Sequence, residues 1–189
     1  MPRNAKFNKE EIILKAIEIV ECQGMEFLTA RSLGECLGSS ARPIFTTFDS
    51  MDDVINGVNQ FANNLYQSYV KVGLQEEIAF KGVGMAYIKF AKEHPNLFKL
   101  LFMKQIDTHP NTNNVLGIIE DSYQDILNSI TKHYGVSNEF AKELYLDMWI
   151  FSHGIATLIA NKMCELTEEE ISNRLNMVCK SLIMLEVKK

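Results

Sequence analysis

The stretch LTARSLGECLGSSARPIFTTF, residues 28–48, constrains this chain more than any other. It reads as two short helices joined by a glycine turn. Thr29 is a good N-cap for the first, and Leu33 and Leu37 recur at the four-residue spacing of a core-facing stripe. Gly38 closes it. Ser39 or Ser40 can cap the second, which carries Ile44, Phe45 and Phe48 inward. Helices this short are not stable alone, because nucleation is costly and little surface is buried. They need neighbours as a floor, and the sequence supplies them. An amphipathic helix opens at Asn8, with Glu11 at the capping-box position and Ile12, Ile13, Ala16, Ile17, Ile19 and Val20 on a broad apolar face, and Gly24 ends it. A further helix begins at Asp49 or Ser50 and carries Met51, Val54, Ile55 and Val58. Helices in this order form a helix-turn-helix head.

Such a head leaves the outer face of its second short helix free. The early residues there, Ser40, Ala41 and Arg42, are the ones that would reach base edges in a DNA major groove. Thr29, Arg31, Thr46 and Thr47 lie around them, and Lys6 and Lys9 sit near the start of the head. The formal net charge of the chain is −5, so any attraction to phosphate has to be local. Three of the four arginines, Arg3, Arg31 and Arg42, fall in this first part, which fits that requirement.

The rest of the chain reads as helix throughout. Expected helices cover residues 50–72, ended by Gly73, then 75–93, a short one after His94-Pro95 through Leu97, Phe98, Leu101 and Phe102, then 112–134, 137–164 and 167–185. Residues 104–114, with Pro110 and three asparagines, form the clearest loop. Thr167 and Glu170 make a capping box for the last helix. The expected architecture is all-α with nine helices: a DNA-binding head over residues 1–50 and a larger helical domain over 51–189. Trp149, Ile150, Phe151, Ile155, Leu158 and Ile159 wrap more than one side of the penultimate helix, and Ile171, Leu175, Val178, Leu182 and Leu185 mark the last. A helix apolar on more than one side must bury more than one side, so these two helices are expected to form a homodimer interface.

Other classes find little support. No run is long enough to span a membrane and the N-terminus lacks the apolar core of a signal peptide, which implies a cytoplasmic protein. Cys22 and Cys36 read as small core residues, and Cys164 and Cys179 stand too far apart on the expected helices for a disulfide. Nucleophile elbows, zinc signatures and phosphate loops are missing, so neither an enzyme nor a cofactor or metal is expected.

Residues 8–60 resemble the DNA-binding head of TetR-type transcriptional regulators. The resemblance rests on the 8–24 helix, Leu28-Thr29-Ala30-Arg31-Ser32-Leu33, the Leu37-Gly38 turn, and Ile44-Phe45 followed by Phe48. The chain departs from the pattern at Gly34, where alanine is usual, at Phe45 and Thr47, and at Met51, where the family carries a phosphate-contacting lysine. Phe45 takes the place of a tyrosine that touches the DNA backbone, which adds it to the DNA-facing set. The segments His94-Pro95-Asn96-Leu97-Phe98 and Trp149-Ile150-Phe151-Ser152-His153-Gly154 are similar to the effector domain of one subgroup of that family. This resemblance implies a cavity between the short sixth helix and the eighth, with Tyr87, Phe90, Phe102, Met103, Tyr123, Trp149, Ile150 and His153 as lining candidates for an apolar or aromatic effector. It also implies a homodimer that binds a double-stranded operator and releases it when the effector binds. The alternative is an all-helical protein-interaction module whose degenerate head no longer binds DNA.

Overall fold

A computed structural model of the chain describes residues 7–103, 116–117 and 120–187. Among them there is no strand, and the nine α-helices are α1 (Lys9–Gln23), α2 (Ala30–Cys36), α3 (Ile44–Thr47), α4 (Met51–Leu74), α5 (Ala79–Glu93), α6 (Pro95–Phe102), α7 (Tyr123–Tyr134), α8 (Asn138–Ala160) and α9 (Glu168–Val187). A 3-10 turn at Met25–Phe27 lies between α1 and α2. The all-α architecture is as the sequence indicates. The expected loop at 104–114 and the start of the helix from 112 fall outside the described residues.

The chain forms two compact units, one of Met1–Asn64 with Asn96–Lys104, the other of Leu65–Pro95 with Gln105–Lys189. In the first, the caps are those the sequence specifies. Asn8 Oδ1 accepts from the Glu11 backbone N–H at 2.8 Å while the Glu11 carboxylate accepts from the Asn8 N–H at 2.8 Å. Thr29 Oγ1 accepts from the Ser32 N–H at 3.1 Å, and Ser32 Oγ accepts from the Thr29 N–H at 3.0 Å. Each such cap is worth about 1 kcal/mol. Ile12, Ala16, Val20, Leu33, Ile44, Val54 and Val58 close the core with no exposed surface.

Four expectations for this unit need correction. Neither Ser39 nor Ser40 caps α3: residues 41–43 form a bend and a turn, and Pro43, which is suited to a helix start, stands immediately before a single-turn helix. Phe45 does not point into the core but is 50% exposed. Cys22 and Cys36 are exposed, because α2 is only seven residues long and buries just Leu33 and Gly34, while Cys22 stands two positions from Val20, on the far side of α1 from that buried residue.

In the second unit α5 packs against α7, α8 and α9, and α8 packs against α7 and α9. Gly73 does not end α4, which continues to Leu74. Its role is close approach: a Cβ there would sit 2.6 Å from the Gly82 carbonyl oxygen on α5. α8 stops at Ala160, four residues before the expected end, in a Schellman turn. The Met163 N–H donates to Leu158 O and the Lys162 N–H to Ile159 O, both at 2.9 Å, with Lys162 left-handed at φ 55°. Thr167 and Glu170 form the expected capping box before α9, with Glu170 accepting from the Thr167 N–H at 2.8 Å. No helix among the described residues is long and apolar enough to cross a membrane.

Candidate functional site

The first candidate surface is the turn and short helix after α2. Ser40, Arg42, Phe45 and Thr46 are exposed, and Ala41 is half-buried. The close approach of α2 to this segment depends on Gly34, buried against the backbone of Ser40 and Ala41. Thr29 and Arg31 are exposed at the start of α2, but both are already engaged. Thr29 is spent on its cap, and Arg31 Nε donates to Glu35 Oε1 at 2.9 Å, a bond that raises the guanidinium pKa. Thr46 Oγ1 donates to the Arg42 carbonyl at 3.2 Å, and Thr47 Oγ1 lies 3.3 Å from both the Phe7 and Pro43 carbonyls. Thr47 thus holds the segment entering α1 rather than presenting a free hydroxyl. Lys6 lies outside the described residues. Among the described residues Arg42 is therefore the cation placed in the segment joining α2 to α3, and it forms no ion pair there. Where a lysine would enter α4, Met51 is half-buried, and Asp52 and Asp53 occupy the first turn, Asp53 accepting from the Ser50 N–H at 3.0 Å.

The second candidate is a cavity inside the larger unit. Tyr66 of α4, Phe80 and Tyr87 of α5, Tyr134 of α7, and Tyr145 and Trp149 of α8 supply its aromatic walls, and Met148, Leu175 and Cys179 help close it. The helical register explains the assembly. Phe80, Gly84 and Tyr87 fall on one face of α5, and Tyr145, Met148, Trp149 and Ser152 on one face of α8. The void measures about 40 Å³, room for a few waters. Sites for drug-sized molecules run to roughly 300–1,000 Å³, so a larger guest has to move side chains.

Tyr87 and Trp149, both named from sequence, line this cavity. His153 stands beside it: its Nδ1 lies 2.9 Å from the Tyr87 hydroxyl, and its ring stacks on Trp149 with centroids 5.2 Å apart. Burial lowers the His153 pKa, which favours a neutral ring able to accept the phenol proton at Nδ1. Phe90 is fully buried against Tyr66 and Tyr69, and Tyr123 stacks on Tyr145 at 5.7 Å. Ile150 is 51% exposed. Phe102 packs on Phe98, and Met103 is 43% exposed, both in the other compact unit. None of Phe90, Phe102, Met103, Tyr123, Ile150 and His153 is among the residues around the void.

The sequence reading missed Tyr66, Phe80 and Tyr145, although the i, i+7 pair Phe80 and Tyr87 was a usable signal. It also missed Glu120, just before α7, which is only 5% exposed. Its carboxylate accepts from the Tyr66 hydroxyl at 2.6 Å, from Gln67 Nε2 at 3.2 Å and from the Ser122 N–H at 3.0 Å. No lysine, arginine or histidine among the described residues forms an ion pair with it. Burial raises the phenol pKa of Tyr66 and Tyr145 well above the ordinary value, and the Glu120 charge adds to both.

Comparison with known proteins agrees with this architecture. No curated protein matches the chain. Residues 80–177, more than half the chain and spanning α5 to the middle of α9, match the family described as tetracyclin repressor-like, C-terminal domain. With more than half of its length matching that all-helical domain, the chain belongs to the tetracycline repressor-like family.

Proposed function

We propose that this protein is a ligand-responsive, DNA-binding transcriptional regulator, a homodimer that represses by holding a short near-palindromic operator until a small molecule enters the cavity of its larger domain. The observation that carries the reading is the pairing, in one chain, of an exposed Arg42 segment on a helix-turn-helix scaffold with the family's C-terminal domain. The division of labour is a head over residues 1–50 and an effector and dimer domain over 51–189. Paired heads suit half-sites about 34–36 Å apart. Support for the dimer comes from α8 and α9, which expose Ile150, Leu158, Met177, Met184 and Leu185. Apolar surface gathered on two adjacent helices is what a four-helix interface would cover. The effector has to bind one conformational state better than the other for release to follow.

The test is binding of the purified protein to DNA flanking its own gene, titrated against salt, with Arg42→Ala as control. Saturable, salt-sensitive binding that prefers this fragment over random DNA, and loses that preference in the variant, is the expected outcome. Absence of preference at low salt, for this fragment and for a randomised pool, overturns the reading.

A second reading has its own support. Met51, Asp52 and Asp53 at the start of α4, together with Arg31 held by Glu35, leave the described residues of the head poor in free positive charge. These features fit an interaction module that retains the scaffold without the DNA. Met51→Lys separates the two: it strengthens binding if the head docks on DNA and changes nothing otherwise.

A further inference from the structure

Burying a carboxylate beside an aromatic cavity is costly unless something positive compensates it. Glu120 is buried, and among the described residues the three groups that hydrogen-bond to it are neutral donors. The 2.6 Å contact with the Tyr66 hydroxyl is in the range of a charge-assisted bond to an ionised oxygen. Tyr66 is also a cavity wall, so the negative charge stands one side chain behind the void. Donating that bond enriches the ring in electron density. Tyr87, Tyr145 and Trp149 add three more π-faces around the same space. Aromatic faces attract cations through their quadrupoles, most strongly when water is excluded.

We propose that the cavity selects an organic cation, a protonated or quaternary amine carrying an apolar or aromatic body. This deepens the effector reading given above and rests on it. Glu120 supplies long-range attraction from behind Tyr66, and the rings supply the contact surface. The opposing group is Lys81, which also lines the cavity. Its long stem lets the ammonium turn to water, whereas Glu120 is fixed by three hydrogen bonds. A carboxylate ligand would meet Glu120 without a fixed positive partner, which makes the site selective against acids.

The experiment uses the full chain and its one tryptophan, Trp149, as the reporter. Benzyltrimethylammonium is titrated against its neutral isostere neopentylbenzene, following Trp149 emission, on the unmodified protein and on Glu120→Gln. The cation is expected to bind about tenfold or more tightly than the isostere, and the variant to lose that preference while binding the neutral probe as before. Equal or tighter binding of the neutral probe overturns the proposal and leaves the effector cavity standing. Failure of both probes to bind overturns the proposal and the effector cavity together. If Glu120→Gln does not fold, the two probes on the unmodified chain decide the matter by themselves.

Discussion

Gly34 meets the main chain of Ser40 with no room for a side chain between them. A Cβ on Gly34 would lie 2.8 Å from the Ser40 carbonyl carbon and 2.9 Å from the Ala41 nitrogen. Both are backbone atoms, so neither can swing aside. Gly34→Ala gains up to about 1 kcal/mol of helix propensity but is expected to cost more through overpacking, typically about 1–3 kcal/mol. Thermal melts of the full chain check the net loss. A variant that melts higher than the parent refutes the tight contact.

The two described arginines of the head are expected to behave differently. Arg42 is exposed and forms no ion pair among the described residues, whereas Arg31 is tied to Glu35. Under the proposed function, Arg42→Ala weakens discrimination between operator and random DNA by roughly 1–3 kcal/mol if it reads a base. Glu35→Gln releases Arg31 and tightens binding, with a salt slope steeper by about one if the freed group reaches a phosphate. Fluorescence anisotropy at several salt concentrations measures both.

Lys162 takes the left-handed position of the Schellman turn after α8, where glycine is the unstrained choice. Lys162→Gly removes the Cβ conflict and is expected to stabilise the chain by about 1 kcal/mol, less the larger entropy that glycine gives the unfolded state. Chemical denaturation with an unchanged m-value tests it.

His153 links cavity chemistry to pH. Burial lowers its native pKa below the ordinary 6.5. Between those two values the unfolded chain binds a proton that the native chain does not, so stability falls as pH drops from about 6.5 toward the native value. Above 6.5 this contribution is fully present. His153→Asn is expected to flatten the slope in that window, as read from denaturation midpoints at a series of pH values. An equal slope in parent and variant counts against a buried, neutral imidazole.

Local chemistry made several helix starts readable in advance. Asn8 with Glu11, Thr29 with its own helix, and Thr167 with Glu170 are short-range devices, and each closes as its spacing requires. What spacing could not give was the effect of tertiary contact. Gly73 looked like a helix terminator, yet it lies inside α4 because α5 comes close enough to need it. Phe45 had the hydrophobicity of a core residue, but it stands one position from the fully buried Ile44, about 100° round the helix, and faces out. In the cavity, Tyr87 and Trp149 were reached through the resemblance to the family's effector domain. Tyr66 was not, because α4 read as a linking helix, and Glu120 was not, because nothing in the sequence separates it from its acidic neighbours Asp121 and Asp125. Its significance appears only once Tyr66, 54 positions away, is seen to donate to it.

The glycine pair at 73 and 82 sets how the walls of the larger unit can shift. Where most helices meet through interleaved side chains, α4 and α5 touch here backbone to backbone. Beside the two glycines only the stem of Glu76, 2.8 Å from where a Gly82 Cβ would sit, is seen to reach this point, so a small change of crossing angle disturbs little interdigitation. Separation is another matter, since it opens a slot that neither glycine can refill. The crossing is thus soft to pivoting and stiff to parting.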